Sequence, residues 1–247
     1  MIRIEDYEEL KVRIVNWLKD YYWKYDIKAF VVGVSGGIDS AVVSTLCAET
    51  GFPTYVLTMP LHSKKGNTEL SDAHAKALTK KYSNVRVVDV DLSETYETFL
   101  FNVDQDFVNN KLANANTKSR LRMVTLYQVA GSVGGIVVGT GNKVEDYGVG
   151  FYTKYGDGGV DIAPIADLYK SEVWELGEYL DVDQRIVDAK PTDGLWDDGR
   201  NDEDQIGATY VELEEAMENK TGAAVNILEE YNKKNRHKME PIPTFKL

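Results

Sequence analysis

Hydrophobic and polar residues follow one another along the chain in two alternating patterns. Short runs of consecutive apolar residues are typical of strands buried on both faces, and apolar residues every three or four positions are typical of helices. The predicted strands are 29–34, 55–59, 85–90 and 135–140, and the predicted helices are 5–23, 38–49, 67–82, 93–109, 117–131, 168–180, 183–189 and 203–217. This alternation predicts an α/β fold, a doubly wound parallel sheet flanked by helices.

The stretch 141–166 interrupts this alternation. It holds six glycines from Gly141 to Gly159 and has little periodicity, so we predict a long loop, which inside a compact domain is usually functional. No repeat or low-complexity linker divides the chain. We therefore expect a single domain over 1–247 with a helical C-terminal extension that ends in the basic run 233–238.

Composition narrows the classes of protein that fit. Lys and Arg number 28 against 40 Asp and Glu, a formal net charge of −12, which argues against a broad nucleic-acid-binding face. The N-terminal segment lacks the apolar core of a signal peptide, and no window has the length of a membrane span. With one cysteine and three scattered histidines, a zinc site is not expected. These features predict a cytoplasmic protein that binds neither nucleic acid nor membrane.

The first chemical motif, Gly33-Val-Ser-Gly-Gly-Ile-Asp-Ser40, follows the first predicted strand. Its glycines allow backbone N–H groups to approach phosphate oxygens, and its serines add hydroxyl donors. A generic strand-to-helix turn is the alternative interpretation. Asp39 favours the phosphate site, because a carboxylate beside phosphates needs a cation such as Mg²⁺ between them. The motif resembles the pyrophosphate loop of the N-type ATP pyrophosphatase superfamily.

A second block, 137–172, narrows the resemblance. It contains Gly139-Thr-Gly-Asn-Lys-Val-Glu145, Thr153-Lys-Tyr-Gly-Asp-Gly-Gly159 and Leu168-Tyr-Lys-Ser-Glu172, and the chain later has Lys190-Pro-Thr-Asp193 and His237-Lys238. Together these segments resemble ammonia-dependent NAD synthetase over about residues 5–245. The resemblance implies an adenine nucleotide alpha hydrolase-like fold and conversion of deamido-NAD, ATP and ammonia to NAD, AMP and pyrophosphate. It also implies a homodimer with the dinucleotide site at its interface.

The same resemblance implies roles for individual residues. It implies Mg²⁺ as cofactor, with Asp39 and Glu145 as the metal ligands. It implies ATP binding by Gly33, Val34, Ser35, Gly36, Gly37, Ile38, Asp39, Ser40, Thr140, Lys170 and Thr192, and deamido-NAD binding by Arg120, Lys154, Asp161, His237 and Lys238. Without the family, Glu145 would more often be a solvated residue at a helix start, Lys170 a surface lysine and the basic tail a solvated face.

The reaction that the resemblance implies needs an activated carboxylate, because ammonia cannot displace oxide from nicotinate. Attack of the nicotinate carboxylate on the α-phosphate of ATP gives an acyl adenylate, from which ammonia then displaces AMP. We predict two catalytic residues. Lys170 stabilises the charge that develops on pyrophosphate, and Asp161 binds ammonium and accepts its proton.

Other features limit this prediction. Cys47 lies in an apolar helix and is expected to be a core residue rather than the nucleophile of an amidase, so we expect free ammonia as the nitrogen source. The segments 60–66 and 199–203 depart from the family pattern, which leaves the adenine contacts in 60–66 open. Gly148-Val-Gly150 resembles an insertion.

Two other functions are alternatives to an NAD synthetase. A tRNA-modifying adenylating enzyme would need a basic face, and a regulatory ATP-binding domain would not need the block 153–161. The predicted helices 93–131 carry apolar side chains that could form the dimer interface. They are Leu112, Leu121, Met123, Val124, Leu126, Tyr127 and Val129. These could instead pack on the sheet.

Overall fold

Four parallel strands form the central sheet of the computed structural model, which describes residues 3–62, 65–192, 194–196 and 201–246. Their spatial order is β3-β2-β1-β4. In register, Phe30 of β1 pairs with Thr54 of β2 and with Ile136 of β4. The strands are β1 (Phe30–Gly33), β2 (Thr54–Thr58), β3 (Val85–Asp89) and β4 (Ile136–Val137).

Helices connect the strands and cover both faces of the sheet. None of the described helices is both long and apolar enough to cross a membrane. In chain order the helices are α1 (Tyr7–Lys24), α2 (Ile38–Glu49), α3 (Lys65–Lys81), α4 (Ser93–Asn102), α5 (Lys111–Val133), α6 (Lys170–Tyr179), α7 (Gln184–Val187), α8 (Asp202–Ile206), α9 (Tyr210–Asn219) and α10 (Val225–Met239), and one π-helical turn spans Val144–Val149.

The side chains of β1 alternate between two hydrophobic clusters. Phe30 and Val32 pack with residues of α1, α2 and α6 on one face. Val31 packs on the opposite face with residues of α4 and α5. Both faces are therefore buried, which explains the continuous apolar run of this strand and confirms the predicted doubly wound sheet.

The chain leaves β1 toward β2 on one side and later returns to pair β4 on the other side. The carboxyl ends of β1 and β4 therefore flank the point where the strand order reverses. In open α/β sheets this is where ligands bind. The motif 33–40 and the residues that follow β4 both lie at this edge.

The predicted helix 93–109 is wrong in its second half. Helix α4 ends at Asn102, and Val103 is extended. Helix α5 begins at Lys111, six residues before the predicted start at 117. The side chain of Asn110 accepts a hydrogen bond from the N–H of Ala113 at 3.0 Å, a helix N-cap.

The predicted helix 203–217 is two helices. Gly207 ends α8 in a left-handed conformation with φ of 88°, and Thr209 caps α9 by accepting a hydrogen bond from the N–H of Glu212. The predicted loop 141–166 contains the π-helical turn, and Val138 pairs in parallel with Ile162 beside β4. The tail confirms the expected helical extension, because α10 carries the basic run.

Candidate active site

The phosphate-binding candidate is the turn between β1 and α2. Gly36 has φ of 89°, a conformation that favours glycine. The hydroxyl of Ser40 accepts a hydrogen bond from the N–H of Ser35 at 3.2 Å, and the hydroxyl of Ser35 accepts one from the N–H of Gly37. Gly37 is the N-cap of α2 and has no side-chain cap, so the first N–H groups of a twelve-residue helix face this turn. Such a helix N-terminus binds anions.

Lys170 joins the two predicted metal ligands. Its side chain is buried, with the residue only 2% exposed. Its Nζ lies 2.6 Å from Oδ2 of Asp39 and 3.1 Å from Oε1 of Glu145. The three residues come from the start of α2, the π-helical turn and the start of α6, so the fold brings together residues that are up to 131 positions apart.

Charge explains how this lysine is buried. Burial by itself would lower the pKa of Lys170, but the carboxylates of Asp39 and Glu145 raise it above its ordinary value. The lysine is therefore charged, and the three side chains together carry a net charge of −1.

The donor set fits Mg²⁺, which binds to one or two carboxylates together with phosphate oxygens and water. The described residues contain no group of three or more His, Cys, Asp or Glu that could hold a metal. Asp39 and Glu145 would hold Mg²⁺ only together with nucleotide phosphates.

Asn142 orients this site and was not among the predicted residues. It is fully buried. Its Nδ2 donates to Oδ1 of Asp39 at 3.0 Å, and its Oδ1 accepts hydrogen bonds from the N–H groups of Val144 and Glu145. One side chain thus holds Asp39 and the start of the turn that presents Glu145. Its place shortly after the fourth strand, among residues of the second block, is the signal that could have identified it.

Tyr210 is a second residue that the sequence did not indicate. It is 1% exposed, and its hydroxyl donates to Oε1 of Glu145 at 2.7 Å. Its ring centroid lies 4.9 Å from Nζ of Lys170. Burial, with the nearby carboxylates of Glu145 and Asp202, raises the pKa of Tyr210 far above its ordinary value, so the hydroxyl keeps its proton. No pattern in the sequence connects the first residue of α9 with this site.

Asp146 adds a titratable group beside the cluster. A Cβ on Gly141 would collide with the Asp146 carboxylate, so this carboxylate packs directly against the backbone after β4. Burial, followed by the charges of Glu145, Asp157 and Asp39, raises the pKa of Asp146 to about 7. The site therefore gains negative charge as the pH rises through neutrality.

The predicted acceptor residues Arg120, Lys154 and Asp161 lie near α5. Both Nε and Nη2 of Arg120 donate to the carbonyl of Lys154 at 3.3 Å. The carboxylate of Asp161 accepts hydrogen bonds from the N–H of Val137 at 2.8 Å and from the hydroxyl of Tyr127 at 3.0 Å. Asp161 is thus fixed at the outer side of β4, and its role as proton acceptor stays a prediction.

Helix α10 brings the predicted C-terminal pair to the same region. Nζ of Lys154 donates to the carbonyl of His237 at 2.9 Å. Nζ of Lys238 donates to the carbonyls of Gly150 and Tyr152, and burial lowers its pKa. The structure therefore places the pair beside Lys154. Its contact with the dinucleotide stays a prediction.

The remaining predicted residues are placed as follows. Thr140 is half-buried after β4, and Thr192 is exposed, with its Oγ1 accepting a hydrogen bond from the N–H of Gly194. In the segment 60–66, residues 63 and 64 lie outside the described residues, as do 199 and 200 of the second departing segment, 199–203. Cys47 is fully buried, which agrees with its predicted place in the core, and burial raises the pKa of its thiol.

The parallel sheet, with the candidate phosphate-binding turn and an acidic pair at its switch point, belongs to the class of α/β proteins with the adenine nucleotide alpha hydrolase-like fold. Within this class, the family model for NAD synthase matches residues 10–242. The NH₃-dependent NAD⁺ synthetase of Carboxydothermus hydrogenoformans is 37% identical over 239 residues, which cover 94% of this chain and 95% of the relative. The chain belongs to the NAD synthase family.

Two solved structures extend the comparison. The NMN synthetase of Francisella tularensis is 34% identical, with a TM-score of 0.91, and the match covers 99% of this chain and 100% of that chain. The NH₃-dependent NAD synthetase of Campylobacter jejuni has a TM-score of 0.80 at 24% identity, covering 98% of this chain and 100% of that chain, a likeness that concerns the fold.

Proposed function

We propose that this protein is an ammonia-dependent NAD synthetase, which converts deamido-NAD, ATP and ammonia to NAD, AMP and pyrophosphate, the last step of NAD biosynthesis. The observation that carries the proposal is the buried contact of Lys170 with Asp39 and Glu145, directly beside the phosphate-binding turn at the switch point. Membership of the NAD synthase family supports the choice of reaction. A reaction that consumes ATP also fits the cytoplasm.

In the first half-reaction, a nicotinate carboxylate oxygen attacks the α-phosphorus of ATP, and the bond to the bridging oxygen of pyrophosphate breaks. The turn 33–40 binds the phosphates through its N–H groups and hydroxyls. Lys170 offsets the charge that develops on the departing pyrophosphate. Mg²⁺, when held by Asp39 and Glu145, would supply further positive charge to the phosphates.

In the second half-reaction, ammonia attacks the acyl carbon, and the bond to the AMP oxygen breaks. Ammonium predominates at neutral pH, so one proton must leave before attack and another after it. We assign Asp161 as the group that binds ammonium and accepts its proton. Two hydrogen bonds fix its carboxylate in place. Arg120, Lys154, His237 and Lys238 would hold the dinucleotide.

The outer face of α5 supports a homodimer with the acceptor site at its interface. Leu112, Arg120, Val124 and Tyr127 lie along one face of this helix, at spacings of eight, four and three residues, and are all exposed. Leu121, Leu126 and Val129 pack inward against the sheet. An exposed apolar stripe that also carries Arg120 is suited to bury a second copy of the chain around the dinucleotide.

A product assay tests the proposed function. The purified protein is incubated with Mg-ATP, deamido-NAD and ammonium chloride, and NAD, AMP and pyrophosphate are measured. Equal formation of the three products, dependent on every component, is expected. Release of AMP without NAD would instead indicate an adenylating enzyme with another acceptor, and the absence of AMP would indicate a domain that binds ATP without chemistry.

A second candidate function is amidation of nicotinate mononucleotide to NMN by the same chemistry. The specific observation in its favour is the match to the Francisella tularensis NMN synthetase, at 34% identity over nearly the full length of both chains. The two substrates carry the same nicotinate carboxylate and differ in the adenylate half of the dinucleotide. Comparing kcat/KM for deamido-NAD and nicotinate mononucleotide in the product assay decides between them, because the true substrate should have the larger value.

A further inference from the structure

The ammonium group of Lys170 occupies the space between the two carboxylates that would bind the metal. Its Nζ contacts an oxygen of each, Oδ2 of Asp39 and Oε1 of Glu145. The side chains of Asp39 and Glu145 are 15% and 18% exposed, and that of Lys170 is 3% exposed. In this state the ammonium group of Lys170 already neutralises part of the negative charge of the two carboxylates.

In this arrangement Lys170 cannot bind nucleotide phosphates and both carboxylates at the same time. Bound to phosphates, its ammonium would have to leave at least one of the carboxylates, because among the described residues it bonds to Asp39 and Glu145 and lies over the ring of Tyr210. A second cation that entered while the lysine stayed would lie beside a buried positive charge, which is unfavourable in a medium of low dielectric constant. The lysine and a metal ion therefore compete for the same oxygens.

Two side chains other than Lys170 also hold the carboxylates in place. Oδ1 of Asp39 accepts a hydrogen bond from Nδ2 of Asn142 at 3.0 Å, and Oε1 of Glu145 accepts one from the hydroxyl of Tyr210 at 2.7 Å. Both donors are buried. When Lys170 moves away, a pair of oriented carboxylates remains, ready for another cation.

We propose that Lys170 is an internal counter-ion that keeps free divalent metal out of the Asp39–Glu145 pair until nucleotide phosphates draw it away. Metal then enters with the nucleotide and not before it. This inference rests on the proposed ATP and metal roles of these residues. It adds an order of events: nucleotide-free enzyme has low affinity for the metal, and the phosphates create the site by removing the lysine.

The test measures metal binding rather than catalysis. Mn²⁺ serves as the probe, and its free concentration is followed by electron paramagnetic resonance in titrations of nucleotide-free protein. Wild-type protein should bind Mn²⁺ weakly without ATP and tightly with it. Lys170→Met should bind Mn²⁺ without nucleotide about tenfold or more tightly than wild type, since a buried carboxylate pair is left without its cation.

Matched variants exclude a general charge effect. Lys143→Met removes a lysine that pairs with Asp167 near the site and should leave Mn²⁺ affinity unchanged. The double variant Lys170→Met, Glu145→Gln should not show the increased Mn²⁺ affinity of Lys170→Met. Lys170→Gln, which keeps a neutral hydrogen-bond donor, guards against loss of folding. If both Lys170 variants are unstable, Mn²⁺ should raise their melting temperatures more than that of Lys143→Met.

Tight Mn²⁺ binding by nucleotide-free wild type, or Lys170 variants with neither increased affinity nor a larger rise in melting temperature, would overturn the inference. These outcomes are separable from failure of the proposed function. A wild-type protein that forms NAD or NMN from ATP but shows no competition between lysine and metal keeps its function and loses only this order of events.

Discussion

Two uncharged side chains orient the acidic pair of the candidate site. Asn142 donates to Asp39, and Tyr210 donates to Glu145. Each hydrogen bond uses one oxygen of its carboxylate and so fixes the direction in which the second oxygen points. Hydrogen bonds to buried carboxylates are stronger than those between neutral groups, so the loss of either donor should affect the affinity of the site for cations as well as stability.

Substitution Tyr210→Phe isolates the contribution of the hydroxyl. It keeps the ring next to Lys170 but removes the donor to Glu145. We expect a loss of about 1–3 kcal/mol in the free energy of unfolding, because a half-buried carboxylate loses a buried hydrogen-bond donor. We also expect a higher Mg²⁺ requirement for turnover. Urea titration measures the first effect, and rate against Mg²⁺ concentration at saturating substrates measures the second.

Tyr231→Phe is the matched control for Tyr210→Phe. The Tyr231 hydroxyl donates to the carbonyl of Gln205 at 2.9 Å, on a half-buried side chain of α10 that packs against the same cluster as Tyr210. It should lose stability without any change in Mg²⁺ dependence. An unchanged Mg²⁺ requirement in Tyr210→Phe would contradict the positioning role of this hydroxyl.

Substitution Asp161→Asn tests the predicted proton acceptor. The amide keeps one acceptor oxygen for the N–H of Val137 or the hydroxyl of Tyr127, but it cannot take a proton from ammonium. Turnover should fall by about 100-fold or more, the usual contribution of a general base, while ATP binding stays unchanged. Rates at saturating ammonium and ATP affinity by calorimetry measure the two effects.

Tyr127→Phe separates positioning from proton transfer at the same site. It removes one hydrogen bond to Asp161 and keeps the carboxylate. It should reduce turnover much less than Asp161→Asn does. Turnover of Asp161→Asn at the wild-type rate would mean that this carboxylate has only a structural role, as the hydrogen-bond acceptor for the N–H of Val137 in β4.

Sequence reasoning identified the charged members of the site because they lie in local motifs. Asp39 follows a glycine pair after a strand, and Glu145 and Lys170 belong to the second block. The structure brings these three together. The sequence could not indicate Tyr210 in the same way, because a buried tyrosine at the start of a helix is an ordinary core residue until the tertiary contact with Glu145 is known.

At the scale of elements, the packing of α3 on α2 contains a buried histidine. Nε2 of His74 lies 2.9 Å from the hydroxyl of Ser44, and His74 is 5% exposed. Burial lowers the pKa of His74 to about 4, although a hydrogen bond to the backbone carbonyl of Ala41 and the charge of Asp183 oppose the shift. The imidazole is therefore neutral in the folded protein at neutral pH.

The sign of the resulting pH dependence follows from this lowered pKa. Below the unfolded value, near pH 6.5, the unfolded chain binds a proton that the folded chain does not bind until about pH 4. Stability is thus complete above pH 6.5 and is lost as the pH falls. Between about pH 7.5 and pH 5, His74 should remove about 2 kcal/mol from the free energy of unfolding.

Urea titrations of His74→Gln across this pH range measure the effect. The variant should show a flatter dependence than wild type, whereas His237→Gln, which changes an exposed histidine, should retain the wild-type slope. Identical slopes in wild type and His74→Gln would mean that this imidazole titrates normally in the folded protein.

Element boundaries show where hydrophobic periodicity loses its predictive power. The bounds of α2, Ile38–Glu49, agree with the prediction, because a strand and a glycine turn precede the helix and Gly51 follows it. The break between the predicted helices 93–109 and 117–131 was placed too late in the chain, since α4 ends at Asn102 and α5 begins at Lys111. Periodicity did not show these bounds, because apolar residues continue past Asn102 and the cap at Asn110 is one polar residue among several. Gly207 was a visible signal for the break between α8 and α9, but a single glycine does not by itself end a helix.

At the scale of the molecule, the sheet topology determines where chemistry can occur. The strand order places the phosphate-binding turn and the residues after β4 at one edge, and the crossover through α5 places the acceptor residues along its outer face. The strand and helix alternation predicted the doubly wound parallel sheet but not its strand order. It could not predict which face of α5 is exposed, because both faces carry apolar residues and only the packed structure separates Leu126, packed on the sheet, from Val124.

The outer face of α5 gives the last prediction, which concerns the proposed dimer. Val124 is 57% exposed and lies one helical turn from Arg120. Buried in an interface between two copies, a carboxylate at this position would lose its contact with water, which has a high cost in free energy. Val124→Glu should therefore weaken dimerisation by about 100-fold or more and leave the chain folded. Sedimentation velocity over a range of protein concentrations should show twice the chain mass for wild type and the chain mass for the variant.

The control for Val124→Glu is Val211→Glu, which places the same charge on an apolar residue of α9 that is 66% exposed. It should leave the dimer intact. If Arg120 acts at the interface, the Val124→Glu monomer should also bind the dinucleotide more weakly while its ATP affinity stays unchanged, because the phosphate-binding turn lies within one chain. A wild-type protein that is monomeric and fully active would contradict both the dimer and the placement of the acceptor site between subunits.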